Sequence, residues 1–243
     1  MKKISSNIIV LFSIVLFAAS CSKDHWIKGE GSNVTNVRSV SGFNAVSLSI
    51  DANVEIIRDS VFRIELIGQQ NILNVITTSV SGNTLDIDIK RHTAIRKHNP
   101  VTVRVFMPFL SSVDISGSGD VNCNNQFVSE NLNANISGSG NISFSGIINN
   151  SVSANVSGSG GISLNGNSSC INAKYTISGS GNINAEWLKA DYVDAHISGS
   201  GDQLIYAVKQ LNAHISGSGD IDYRGNPGVS VNISGSGKLT HIQ

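Results

Sequence analysis

The side chains best suited to chemistry stand at fixed places beside a motif, Ser-Gly-Ser-Gly, that recurs seven times after residue 110. His196 and His214 each lie two residues before a copy. If the copies stack, the two rings come within about 5 Å of one another, with Asp194 and Asn212 on the same outward face. Zinc asks for a third and usually a fourth ligand, so the pair holds an ion only with help from those neighbours. Otherwise the imidazoles simply stack on a polar face, and protonating both sets up repulsion. Asp202 and Asp220 each follow a copy directly, where the other copies carry Asp120, Asn141, Gly161, Asn182 and Lys238. A column of calcium sites needs carboxylates in turn after turn. This mixture reads better as turn-forming Asx residues, leaving Asp202 with Asp220 as the one pair able to share an ion. Ion binding at either pair stays open on these residues alone. The serines recur at every corner, and no His–Asp pair accompanies a single copy, so they read as structural.

What must position these groups is the repeat itself. Its glycine pairs begin at Gly117, Gly138, Gly158, Gly179, Gly199, Gly217 and Gly235, at steps of 21, 20, 21, 20, 18 and 18 residues. Before each motif stands an aliphatic anchor: Ile115, Ile136, Val156, Ile177, Ile197, Ile215, Ile233. Two places earlier come Val113, Ala134, Ala154, Tyr175, Ala195, Ala213 and Val231, with polar residues between. After the glycines the alternation resumes at Val121, Ile142, Ile162, Ile183, Gln203, Ile221 and Leu239. Period-two alternation is the mark of a half-buried strand. Each unit is therefore strand, glycine corner, strand and variable return, and units this short bury their apolar faces only by stacking. The expected fold is all-β, a parallel β-helix of about seven regular rungs. Fourteen of the 24 glycines serve its corners, through positive φ or through close backbone approach. Gln203 is out of pattern, and the shorter step after it points to a local shift there. A propeller blade needs about forty residues, twice this period, and a flexible linker has no aliphatic residues in phase with its glycines.

Residues 34–110 are less regular. Val46, Leu48, Ile50 and Ile56 nevertheless repeat the spacing of Leu132, Ala134, Ile136 and Ile142. This stretch is expected to be a wider part of the same coil, with an exposed loop at Arg91–Lys97, a short helix around Val75, and a role as cap over one end. The last turn, ending at Gln243, has no evident cap, which leaves self-association open.

At the front, Lys2 and Lys3 precede an apolar run from Ile8 to Ala19 and then small residues. That order defines a secretory signal over residues 1–20. Cys21 follows directly and resembles the acylated cysteine of the bacterial lipoprotein lipobox, although Ala18 stands where that motif carries Leu. A lipidated tether is expected over residues 21–33, then the irregular coil over 34–110 and the regular repeats over 111–243. Cys123 and Cys170 belong two turns apart, further than a disulfide spans. Without Lys2 and Lys3 the chain has 15 basic and 17 acidic residues. No basic patch of the kind that binds nucleic acid is evident, so no nucleic acid partner is expected.

Gly42-Phe43-Asn44-Ala45-Val46, Asn83-Thr84-Leu85-Asp86-Ile87, Met107-Pro108 and the following Ile115-Ser-Gly-Ser-Gly-Asp120 together resemble the head GIN-domain family of auto-transporter adhesins. The resemblance covers residues 35–240 or so. It implies an exported, right-handed parallel β-helix, often carried on lipoproteins of Gram-negative bacteria, and supplies no catalytic or ligand residues.

The expected protein is therefore a non-catalytic lipoprotein of the cell envelope, in the outer membrane on its periplasmic or exterior face. It serves as an adhesion or scaffold module, with the membrane as partner through its lipid, a glycan or protein as ligand, and no cofactor. The alternative is a carbohydrate-active β-helix enzyme of the polysaccharide lyase or hydrolase kind. Such enzymes need clustered carboxylates, or a basic residue beside calcium ligands, in a groove. Beyond residue 110 the acids are scattered and Arg224 is the only arginine. Trp187, Tyr192 and Tyr206 fall in the variable returns, either as platforms for a ligand or as packing over the coil.

Overall fold

A computed structural model describes residues 25–123 and 127–243. The expected signal segment and the expected lipid attachment at Cys21 lie outside the described residues. The rest is nearly all strand and winds as a stack of parallel turns. Ile115 pairs with Ile136, Ile136 with Val156, Val156 with Ile177, Ile177 with Ile197, Ile197 with Ile215, and Ile215 with Ile233. Alternation turns the anchors from Ile115 to Ile215 inward, and together with the residues two places before them they join one buried cluster running from Phe43 to Ile221. Each buried isoleucine or valine among them contributes about 1.5–3 kcal/mol, and only the neighbouring turns supply the cover.

The corners explain the glycines. A Cβ on Gly158 would lie 1.9 Å from the carbonyl oxygen of Gly138, and the other copies from Gly138 onward stack just as closely on the copy before. Those same carbonyls accept a hydrogen bond from the second serine of the next motif, as in Ser159 N–H to Gly138 O at 3.1 Å. Of the fourteen motif glycines only Gly235 has positive φ. Close approach, and not left-handed backbone, is why the corner excludes a side chain.

The N-terminal part does belong to the coil, but its turns are not stacked in chain order. Ala45–Leu48 lies between Ser112–Ile115 on one side and Thr84–Ile89 on the other, parallel to both. Asn53–Arg58 lies likewise between Asp120–Cys123 and Thr102–Met107. The turn made by residues 84–107 is thus the outer one, although it comes later in the chain. The register also differs from the expected one. Leu48, not Ile50, pairs with Ile115 and so shares the column of Ile136. A slip of two residues keeps every side chain on its own face, which is why the hydrophobic pattern does not reveal it.

Antiparallel strands finish this end: Ile76–Ser81 on Thr84–Ile89, Arg63–Gln69 on Thr102–Met107, and Asn33–Arg38 on Arg63–Gln69. One helical turn, Gln70–Leu73, just precedes Val75. Arg38 ties the group together by donating to the carbonyls of Leu73 and Ile76 at 2.9 and 3.0 Å. Where a polar tether and a free loop were expected, His25–Ile27 instead pairs in parallel with Thr93–Ile95 as a separate two-stranded ribbon. At the opposite end the strand Gly228–Ile233 is exposed throughout, because no further described turn covers Val229, Val231 and Ile233.

Candidate functional site

The expected histidine pair forms. His196 and His214 are register partners, their rings 4.8 Å apart and within 9° of parallel. Beside them the Asn212 amide donates to Asp194 at 2.8 Å, so that carboxylate is already engaged. Burial, followed by the charge of His214, pushes the His196 pKa down, favouring its neutral form. Among the described residues no group of three or more His, Cys, Asp or Glu is placed to hold a metal ion.

The Asx column has a clear structural task. The Asp120 side chain accepts the Asn141 backbone N–H at 2.9 Å, and Asn141 in turn accepts that of Gly161 at 3.0 Å. Asn182 accepts from Asp202 at 2.9 Å, Asp202 from Asp220 at 2.8 Å, and Asp220 from Lys238 at 2.7 Å. Each short carboxylate or amide thereby satisfies a backbone donor one turn on, at the point where the strand resumes after its corner.

A concave site lies on a different side of the coil, and a deletion in the repeat creates it. Gln203 keeps register, pairing with Ile183 and Ile221. The expected shift falls a few residues later: Ala185 pairs with Ile205, but Lys189 pairs with Tyr206. The segment Glu186-Trp187-Leu188 therefore has no counterpart in the following turn. The step left by the missing segment is a concavity of about 300 Å³ lined by Asn167, Glu186, Trp187, Lys189, Tyr206 and Arg224. Trp187 is 55% exposed. The Lys189 ammonium sits 5.6 Å from the centre of the Tyr206 ring. Arg224 reaches back across two turns to Glu186, with Nη2–Oε1 at 2.6 Å and Nε–Oε1 at 3.0 Å, bracing the wall. The site thus offers two aromatic rings, an amide, an ammonium and one carboxylate already held by arginine.

Trp187 and Tyr206 come together here, whereas Tyr192 lies apart, half-exposed with Lys209 over its ring. Cys123 and Cys170 are buried and unbridged, and burial raises their thiols to about 12 and about 11, leaving them unreactive at neutral pH. Gln203 is itself buried in the apolar column, its amide donating to the carbonyl of His196 at 3.0 Å. Two signals in the sequence bore on the concavity: the shortening of the period from 20 to 18, and Trp187 and Tyr206 in the variable returns.

Residues 42–227 match the sequence family described as "Putative auto-transporter adhesin, head GIN domain", and the chain belongs to that family. Among solved structures it is similar to a "putative adhesin" of Bacteroides fragilis NCTC 9343, with 26% identity and a TM-score of 0.83, over 89% of this chain and 100% of that one. It also shares its fold with a "putative lipid binding protein" of Parabacteroides distasonis ATCC 8503, at 23% identity and a TM-score of 0.76 over 90% and 100% of the two chains. A "putative adhesin" of Parabacteroides merdae ATCC 43184 has the fold as well, at 24% identity and a TM-score of 0.67 over 90% and 99%. No protein among curated sequences matches significantly.

Proposed function

We propose that the protein is a non-catalytic binding module of the cell envelope, an adhesin in kind, held in the outer membrane through a lipid on Cys21. The observation that carries this reading is the Trp187 concavity, an exposed indole and a phenol ring beside polar donors on an otherwise regular wall. Flat aromatic faces with a few directed polar groups suit the recognition of a sugar ring or of an extended peptide. Glycoside hydrolysis works with two free carboxylates across the scissile bond. The concavity brings one, Glu186, and Arg224 occupies it.

A glycan array probed with the soluble coil tests the reading directly. Retention of one glycan class, lost in Trp187→Ala, is the expected result. Release of reducing sugar by the same sample, abolished by Glu186→Gln, would replace it with the enzymatic alternative. For the anchor, Cys21→Ala is expected to let the protein be washed from the membrane by 0.5 M salt, while the parent stays bound.

A further inference from the structure

The ribbon of His25–Ile27 and Thr93–Ile95 has two unlike faces. Ile27 and Ile95 turn inward and pack against the core cluster. Trp26 turns outward, 55% exposed, with the Arg96 guanidinium 4.0 Å above its ring. Pairing continues past the strand, where Gly29 N–H donates to Lys97 O at 3.0 Å, and alternation puts Lys28 on the side of Trp26. Residues 90–98 hold Lys90, Arg91, Arg96 and Lys97 without a carboxylate among them. Among the described residues, Lys28, Lys90, Arg91 and Lys97 are exposed and none is engaged in an ion pair. Three acids stand near these cations: Asp51 lines a shared concavity with Arg96 and Lys97, Glu30 follows Lys28 by two residues, and Asp88 precedes Lys90 by two. Neither stretch is notable alone; the pairing of residues 25–29 with 92–97 is what sets Trp26, Lys28 and Arg96 on one surface, with Lys97 exposed at its edge.

We propose that this ribbon is a docking face for an anionic lipid surface. An indole at the headgroup level with surrounding arginine and lysine is the chemistry that membrane interfaces select. Each cation near such a surface contributes about 1 kcal/mol. Position agrees with chemistry. Four residue steps join Cys21 to His25, a reach of at most about 14 Å, so acyl chains on Cys21 hold the ribbon against the bilayer. This last point rests on the lipoprotein reading; the docking itself does not. The ribbon then sets the orientation of the coil. Its outer turns sit on the membrane, and the turn bearing Trp187 lies four spacings, about 19 Å, farther along the axis than the turn of Leu48.

The test uses the mature chain carrying Cys21→Ser, which has no lipid, so failure of the anchor and failure of the docking face are read separately. Vesicles of phosphatidylglycerol and phosphatidylethanolamine are compared with vesicles of phosphatidylcholine by co-sedimentation. Binding at least tenfold stronger to the anionic vesicles, and lost at 0.5 M salt, is expected. The double change Arg96→Glu, Lys97→Glu is expected to weaken it tenfold or more with an unchanged thermal midpoint. Lys28→Glu gives a second, independent variant. With Trp187→Phe as background, Trp26 is the one remaining tryptophan, and its emission shifts to the blue on binding. Equal binding to both vesicle types, or undiminished binding by the charge-reversed variants, would overturn the proposal. So would equal affinity for an acidic polysaccharide, which would make the surface a general polyanion site.

Discussion

Gly138 comes so close to the preceding turn that a Cβ placed on it would stand 2.0 Å from the carbonyl oxygen of Gly117. Backbone blocks the space on that side, so no rotamer change relieves the contact. Gly158→Ala, facing the Gly138 carbonyl at 1.9 Å, is expected to cost about 1–3 kcal/mol or more and to lower the thermal midpoint by several degrees. Gly161→Ala is the control, since its nearest neighbour is the Asn141 side-chain oxygen at 3.2 Å. Equal midpoints for the two variants would refute the close-approach account of the corner.

Tyr175 fills a place in the interior column that its neighbours give to alanine, and its hydroxyl is buried without a hydrogen-bond partner. Tyr175→Phe keeps the ring and removes the orphaned group. The variant should match or exceed the parent in stability, by up to about 1 kcal/mol, in a denaturant titration. A clear loss would mean that the hydroxyl has found a partner such as a buried water.

Asp202 is expected to act through its hydrogen bond to Asp220 N–H. Asp202→Ala should lower stability by about 0.5–1 kcal/mol, a modest effect because the site is exposed. Calcium or a chelator should leave the melting curve of the parent unchanged, since the Oδ1 atoms of Asp202 and Asp220 are already bonded to backbone. A calcium-dependent rise in midpoint would restore the ion-site reading.

The His196 pKa lies below its ordinary value of 6.5 in the folded chain. The unfolded chain therefore takes up the proton first, so the contribution of this group is complete above pH 6.5 and declines as the pH falls through the lowered value. Asp194 opposes the shift and Lys174 adds to it, both smaller than burial and His214. Melting curves between pH 7.5 and pH 5 should show a decline that His196→Asn reduces.

The regular coil was legible because its information is local: anchors two residues apart, corners at a near-constant step, and a partner that is always the next copy. The histidine stack followed from the same rule. The outer turn did not, because the exchange of layers between residues 45–58 and 84–107 is a matter of which strand pairs with which, and both strands carry the same inward alternation. The two-residue register slip at Leu48 is silent for the same reason. The position of Trp187 was half legible. The change of period announces a deletion, but Gln203 drew attention to the wrong place: it is a buried amide held in register, and the missing residues fall after Ile205. The ribbon was missed because a three-residue strand such as His25–Ile27 is too short to show alternation among polar neighbours.

The exchange of layers also governs how the coil can be assembled. A chain emerging from its amino end delivers Ala45–Leu48 well before Thr84–Ile89, yet in the finished molecule the later segment lies outside the earlier one. Growth cannot proceed as simple winding from the first residue. The turn of residues 45–58 has two partners: on one side the outer turn with its antiparallel closure, on the other the first of the repeats. A chain cut short ahead of residue 84 therefore lacks the partners of this turn on both edges, and not on one edge alone.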